Sequence, residues 1–455
     1  MRFHICLLIE LLAVQGLQFP RVTVPRSRSA VLCASPAEAA KPAEAEVAAT
    51  AGRDGVVVAT NELLMKARDS KTVLKVVAEG GSTLNGINIA TAMHCLAKIN
   101  KRNRVGRDAL LRDRGYTSLI DSVVAQASEL SPRATADVLW SCATLQDFPP
   151  QLLMPVLTSV AGHLDKEAFA PRHLASVVWS LARLTTKPTR LLERIEEQAI
   201  PRLDGMNDQN IANLLWGFAK LNYKPSKLLP AASEALLKPG MVERAKHVEV
   251  SDLAFAFGEL GAPGDYDALM LALSERVAPG SDALDRFTSR QLVKLIAAFA
   301  KLEATAQLPS GRLETWVEAV RVGHGQTSLM ARDQRTLEEA LGKLDIDASW
   351  IKEFEMIGTW SALAAGGKAK RREYSDDELR AVFDAIDADG SGDIDLGELK
   401  VAINKMSADG GEATDADVKN MLNFGDTDGD AQVSFDEFRQ IMNGAVAKGK
   451  RVMIA

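Results

Sequence analysis

The chain has 455 residues, 47% apolar, 25% charged and 5% aromatic, a composition that builds packed cores and excludes a disordered, fibrous or collagen-like polymer. Its formal charge of -6 is unevenly spread, because residues 373–445 hold 19 acidic against 5 basic side chains, so an acidic C-terminal module follows a near-neutral body. Cys6, Cys33, Cys95 and Cys142 show no CxxC spacing and no run of 18 apolar residues occurs, which argues against a disulfide framework, a cysteine zinc site and a membrane span.

Residues 1–34 read as a targeting presequence. Arg2 and His4 precede the apolar stretch Ile5 to Leu17, interrupted by Glu10, in the order of a secretory signal. Three arginines and several hydroxyl residues follow with no acid until Glu38, which is transit-peptide composition. The phenylalanine just past the apolar stretch, Phe19, resembles the signal-to-transit junction of algae with secondary plastids. That resemblance implies plastid import, with the mitochondrion as the alternative. Residues 35–60, beginning in an Ala/Glu/Pro tract, are expected to be a linker.

Internal self-similarity then organises residues 61–345. Ala-Asp-Val-Leu-Trp140-Ser-Cys-Ala-Thr-Leu145, Ala-Ser-Val-Val-Trp179-Ser-Leu-Ala-Arg-Leu184 and Ala-Asn-Leu-Leu-Trp216-Gly-Phe-Ala-Lys-Leu221 superpose without a gap. Weaker copies place His94, Phe255 and Ala297 in the tryptophan column, and a degenerate seventh ends at Leu344. Ile211, Leu214, Leu215, Phe218 and Ala219 share one helical face. Ten residues before the marker an apolar residue recurs (Leu84, Leu130, Phe169, Met206, Phe287), followed in most copies by a capping type (Asn85, Ser131, Asn207, Thr288). Nine residues after it stand Pro149, Pro188 and Pro225, ahead of a second apolar helix. Each unit is therefore a helix hairpin too small to bury its own apolar face. About seven of them must stack into an α-solenoid. The recurring aromatics read as packing between repeats, and His94 as one of them.

The pattern Asn-Ile-Ala-x-x-Leu-Trp-x-x-Ala-Lys-Leu, with a proline-opened second helix, resembles the octotricopeptide and heptatricopeptide repeats of organellar RNA-processing proteins. The resemblance covers residues 61–345 and implies single-stranded RNA as a partner. The small RAP domain that often closes such proteins is not recognisable in this sequence. One further feature points to RNA on physical grounds. Lys98, Arg183, Lys220, Lys301 and Lys343 occupy one position of the first helix, where Thr144 and Glu259 stand in the other two copies. A column of cations suits a phosphate backbone, though cations near a helix C-terminus also complement its dipole.

Two loops near the C-terminus resemble the twelve-residue EF-hand. Asp387, Asp389, Ser391, the Asp393 carbonyl, Asp395 and Glu398 stand at positions 1, 3, 5, 7, 9 and 12 of the first, with Gly392 at position 6. Asp426, Asp428, Asp430, the Gln432 carbonyl, Ser434 and Glu437 repeat the set 39 residues later. Hard oxygen ligands at alternate positions suit Ca²⁺, so two sites are expected. The second carries Ala431 where the turn demands positive φ, and should be the weaker. Ser375 to Glu378 reads as a capping box, and Ile394 and Val433 are placed to pair across the loops.

Between the modules, residues 346–372 carry Trp350, Phe354, Ile357 and Trp360 at helical spacing, followed by Lys368, Lys370, Arg371 and Arg372. The stretch 350–363 either caps the solenoid or docks, with both tryptophans, into a calcium-opened lobe; an outside protein is the other candidate for that lobe. Neither a Walker loop, an HExxH, a nucleophile elbow nor a His/Cys cluster occurs, so no enzyme is expected. The sequence thus predicts an all-α chain, an α-solenoid of helix-hairpin repeats followed by a paired EF-hand lobe over 373–445 and a tail at 446–455. A calcium-binding RNA-binding protein is the first functional expectation, and a calcium-responsive protein scaffold the alternative.

Overall fold

The structure, a computed structural model, describes residues 55–278, 284–326, 329–364, 374–405 and 413–443. Residues 1–34, read from the sequence as a targeting presequence, the Ala/Glu/Pro tract, the basic cluster at 368–372 and the tail lie outside the described residues. The described residues are almost wholly helical, and from Val57 on they belong to one compact unit, Val57–Ala455. Among the described residues no helix is long and apolar enough to cross a membrane.

Seven first helices form a ladder in which each packs on the next: α1 (Gly86–Asn100), α2 (Pro132–Leu145), α3 (Pro171–Arg183), α4 (Asp208–Lys220), α5 (His247–Leu260), α6 (Ser289–Leu302) and α7 (Ala331–Lys343). Their starts obey the capping pattern. Asn85 accepts from the amides of Ile87 and Asn88, Ser131 from Ala134 and Asn207 from Asn210, while Thr288 and Gln291 form a capping box. Leu84, Leu130, Phe169 and Met206 ahead of them are buried. Where α5 crosses α6 the backbones nearly touch, since a Cβ on Gly258 would lie 2.7 Å from Ala298 Cα.

A second row runs behind the ladder: Arg114–Gln126, Pro150–Asp165, Thr189–Ala199, Leu228–Leu236, Asp267–Glu275 and Arg312–Gln326. Pro149 and Pro188 immediately precede their helices, as the breaks require. The third copy starts later, and its free amides are met by the preceding repeat. Glu196 accepts from Lys227 and Leu228 amides at 3.0 and 3.3 Å and from the Tyr223 hydroxyl at 2.9 Å. An extra short helix, Arg104–Leu110, accounts for the longer first repeat.

Three boundaries need correction. A helix occupies 55–66, beginning inside the expected linker, and Val57 O and Asn61 accept from the Asn88 side chain at 3.0 Å each. The solenoid does not stop at 345. Helix α8 (Ser349–Ala364) stacks on Arg312–Gln326 as the second helix of the seventh unit. Nor is 346–372 a separate segment, because Trp350, Ile351 and Phe354 join the solenoid core while Met356, Ile357 and Trp360 join the core of the lobe. Trp350 caps the solenoid and Trp360 enters the lobe, so the helix meets each of the two alternatives read from its sequence in part. The register of one helix divides its aromatic side chains between two cores.

Sequence patterning missed one regular device. The residue six beyond the marker takes a left-handed conformation in five repeats, as Gln146, Thr185, Asn222, Glu303 and Asp345, with φ between 48° and 56°. The turn releases the chain from the first helix, and none of the five is glycine. A β-branched residue is the least suited to it. Thr185→Gly should therefore raise stability by about 1 kcal/mol, read as an upward shift in thermal unfolding; a fall would mean that the Thr185 side chain supplies more than its strain costs.

Candidate calcium sites and the face of the ladder

The lobe is two helix–loop–helix hands: α9 (Asp376–Ile386), β1 (Asp393–Ile394) and α10 (Leu396–Lys405), then α11 (Asp415–Gly425), β2 (Val433–Ser434) and α12 (Phe435–Met442). Ser375 and Glu378 close the capping box ahead of α9. The two short strands pair antiparallel with Ile394 opposite Val433, which fixes the loops side by side. Phe383 and Leu422, four residues before each loop, are buried in the core with Trp360, whose indole N–H donates to Met421 O at 2.9 Å.

In the first loop, carboxylate oxygens of Asp387, Asp389 and Glu398 lie within 4.8 Å of one another. Glu398 at position 12 is held over the loop start by the amides of Ala388 at 2.8 Å and Asp389 at 3.3 Å, and by that of Asp395 at 3.0 Å. Asp387 is buried, which disfavours its charge, yet the amides of Gly392 and Ser391 hold its carboxyl below the usual range. Ser391 and the Asp393 carbonyl face each other at 2.9 Å. Gly392 has φ 93°, as the sharp turn at position 6 demands. Hard, preorganised oxygens of this kind fit a calcium ion.

The second loop repeats the fold with two differences. Ala431 adopts φ 67°, so the strain read from the sequence is present in the backbone. The close set there is Asp426, Asp428 and Asp430, without Glu437. Both oxygens of Glu437 are taken: Thr427 donates its amide and hydroxyl to one at 2.7 Å each, and Ser434 donates its amide and hydroxyl to the other at 2.9 and 2.8 Å. Burial opposes that charge, but these bonds outweigh it and lower the carboxyl to about 2. Thr427 was not among the sequence candidates. A hydroxyl at loop position 2, absent from the first loop, was its only signal.

The chain is thus an all-α solenoid protein that carries a calcium-binding pair of helix–loop–helix hands at its C-terminal end. The EF-hand domain pair family matches residues 376–443. Parvalbumin alpha of Esox lucius is 42% identical over 74 residues, 16% of this chain and 68% of the parvalbumin. Centrin-1 of Bos taurus is 40% identical over 101 residues, 22% of this chain and 57% of the centrin. The probable calcium-binding protein CML28 of Oryza sativa subsp. japonica is 33% identical over 84 residues, 18% and 48% of the two chains. Through its C-terminal lobe the chain belongs to the EF-hand family.

On the solenoid, the marker column is neither core nor surface. His94, Trp140, Trp179, Trp216 and Phe255 are all half-buried along the ladder face. His94 stacks on Trp140 at 4.7 Å between ring centroids, and Trp179 lies 6.4 Å from Trp216. The rings thus pack between repeats, as read from the sequence, while each keeps part of its surface open to solvent. Cations interleave with them: Arg183 lies over Trp179 at 5.5 Å, and Lys220 lies 4.1 Å from the Phe255 ring centroid and 5.9 Å from that of Trp216. Partial desolvation, then repulsion from Arg332 and Lys294, pushes the Lys220 ammonium below the usual lysine range.

The cation column itself is uneven. Lys98, Arg183, Lys220 and Lys343 are exposed, but Lys301 pairs with Glu259 of the neighbouring repeat at 2.6 Å, so its charge is already met. Thr144 is buried. Lys294 and Arg290, which the sequence did not single out, flank the same face and pair with Asp252 and Asp333 at 2.7 and 3.2 Å.

Proposed function

We propose that this is a calcium-binding organellar protein whose helical repeats bind single-stranded RNA, in the processing, stability or translation of transcripts. The observation that carries this reading is the half-exposed ribbon of His94, Trp140, Trp179, Trp216 and Phe255 interleaved with Arg183 and Lys220. Unstacked bases take aromatic and guanidinium planes, and phosphates take the cations beside them. The resemblance to octotricopeptide and heptatricopeptide repeats supports the same partner. The presequence assigns the protein to the plastid, with the mitochondrion as the alternative. The reading gives the chain no catalytic step. In the lobe, two calcium sites of unequal strength are read from the positive φ of Ala431 and from Glu437 standing outside the close carboxylate set of its loop.

Replacing Lys98, Arg183, Lys220 and Lys343 together by Gln should weaken RNA binding by the full chain. The slope of log affinity against log salt should flatten by roughly 0.7 for each phosphate that is no longer neutralised. Trp179→Leu should weaken binding by about 1–3 kcal/mol while leaving that slope alone. A folded quadruple variant with unchanged affinity at low salt would remove RNA from the ladder face. One observation favours a calcium-responsive protein scaffold instead, a cavity of about 570 Å³ with mostly apolar walls between α7, α8 and α9. Crosslinking in cells with and without Ca²⁺, followed by sequencing of bound RNA and identification of bound protein, separates the two.

A further inference from the structure

The cavity between the last repeat and the lobe has walls of two kinds. Ala348, Ala381, Val382 and Ala385 make a smooth apolar surface. Around them stand four carboxylates, of which Glu378 is paired with Lys352 at 2.8 Å. Glu338, Glu353 and Asp377 have no ion-pair partner among the described residues, and Glu353 Oε1 is buried with no hydrogen-bond partner there. Burial pushes the Glu353 carboxyl up despite Lys405 and Arg321 nearby, so an occupant suited to these walls brings cations to the acidic rim of Glu338 and Asp377 together with apolar side chains large enough to fill the space.

We propose that the occupant is this chain's own segment 444–455. It reads Gly-Ala-Val-Ala-Lys448-Gly-Lys450-Arg451-Val452-Met453-Ile454-Ala455, three cations and then three sizeable apolar residues. Its starting point is close. Arg439 lies 3.7 Å from Asp376, and Phe435 is against Arg380, so α12 runs antiparallel to α9. The chain therefore leaves α12 toward the N-terminal end of α9, on the face of Asp376 and Arg380, and must pass around that end to reach the cavity face of Asp377, Ala381 and Ala385. Nine extended residues from Asn443 to Val452 span up to ~30 Å, ample to enter the cavity. The segment 365–373 is also basic but carries no side chain larger than alanine apart from its charged ones, so it could neutralise the walls without filling them. A docked tail straps the calcium lobe to the seventh repeat.

The test uses a fluorescent peptide of residues 444–455 added to the full chain and to a chain ending at Asn443. The shortened chain should bind it at least tenfold tighter than the full chain, whose own tail competes. A peptide with Lys448→Glu, Lys450→Glu and Arg451→Glu should lose that binding, and this arm needs no change to the folded protein. Ala381→Lys in the shortened chain should weaken binding at least tenfold. Equal affinity for both chains, or none for the shortened one, overturns the proposal. So does binding that emerges only after Lys368, Lys370, Arg371 and Arg372 are replaced by Ser, because the linker would then be the occupant. RNA affinity is not read in any arm, so the proposal stands or falls apart from the RNA reading.

Discussion

Calorimetric titration of the full chain with Ca²⁺ should show two binding events, the tighter of which disappears in Glu398→Gln. In the first loop Glu398 stands with Asp387 and Asp389 in one close set, so removing its second oxygen takes away the ligand that closes the site. Ala431→Gly should strengthen the weaker event. A non-glycine residue at φ 67° costs about 1–2 kcal/mol, which the glycine variant recovers as roughly a five- to thirtyfold gain in affinity. One class of sites, indifferent to Ala431→Gly, would show that the strain is compensated elsewhere in the loop.

Trp360→Ala should be the most damaging single change at the junction. The ring is fully buried, packs edge-on to Phe438 at 5.8 Å and donates to Met421 O, so it ties α8 to both helices of the second hand. Truncating a buried tryptophan costs about 3–5 kcal/mol, and that loss should fall on the lobe first, lowering its urea midpoint and its calcium affinity together. Trp360→Phe keeps most of the volume, forfeits the hydrogen bond, and should cost clearly less. A change within about 0.5 kcal/mol for the alanine variant would mean that the lobe stands without α8. Acid tests the same junction, because Lys352 first, and then the Ser375 amide, lower Glu378 to about 2 from 4.5. The folded form gains from that charge in full above pH 4.5, and the gain is lost as pH falls toward 2.

Much of this architecture is legible in the sequence because it is periodic. Caps such as Ser131 and Thr288, the breaks at Pro149 and Pro188 and the ligand spacing of both loops are local chemistry, and local chemistry survives in the order of residues. Ala431 is the sharpest case, since its departure from glycine announced a backbone conformation that the structure adopts. What stayed hidden depends on neighbours. The left-handed turns at Gln146, Thr185 and Asn222 carry no glycine, because repeat packing imposes them against residue preference. The exposure of the marker rings depends on how closely adjacent first helices approach, which no single repeat records. Lys301 reads as a free cation until Glu259 is found beside it. The double allegiance of α8 was hidden for a related reason: Trp350, Phe354, Ile357 and Trp360 share one helical spacing, and spacing does not say that one face serves two cores.

A stack of repeats is weakest at its ends, where a unit has a neighbour on one side only. Here the terminal unit borrows its missing neighbour from the lobe, through a helix that neither core can release alone. An ion that favours the folded lobe therefore opposes any opening of the seventh repeat that also unfolds the lobe, by at most about 1.4 kcal/mol for each tenfold rise in its concentration above the dissociation constant. Fraying at that end of the solenoid, measured by hydrogen exchange along α7 and α8, becomes a gauge of the surrounding calcium level.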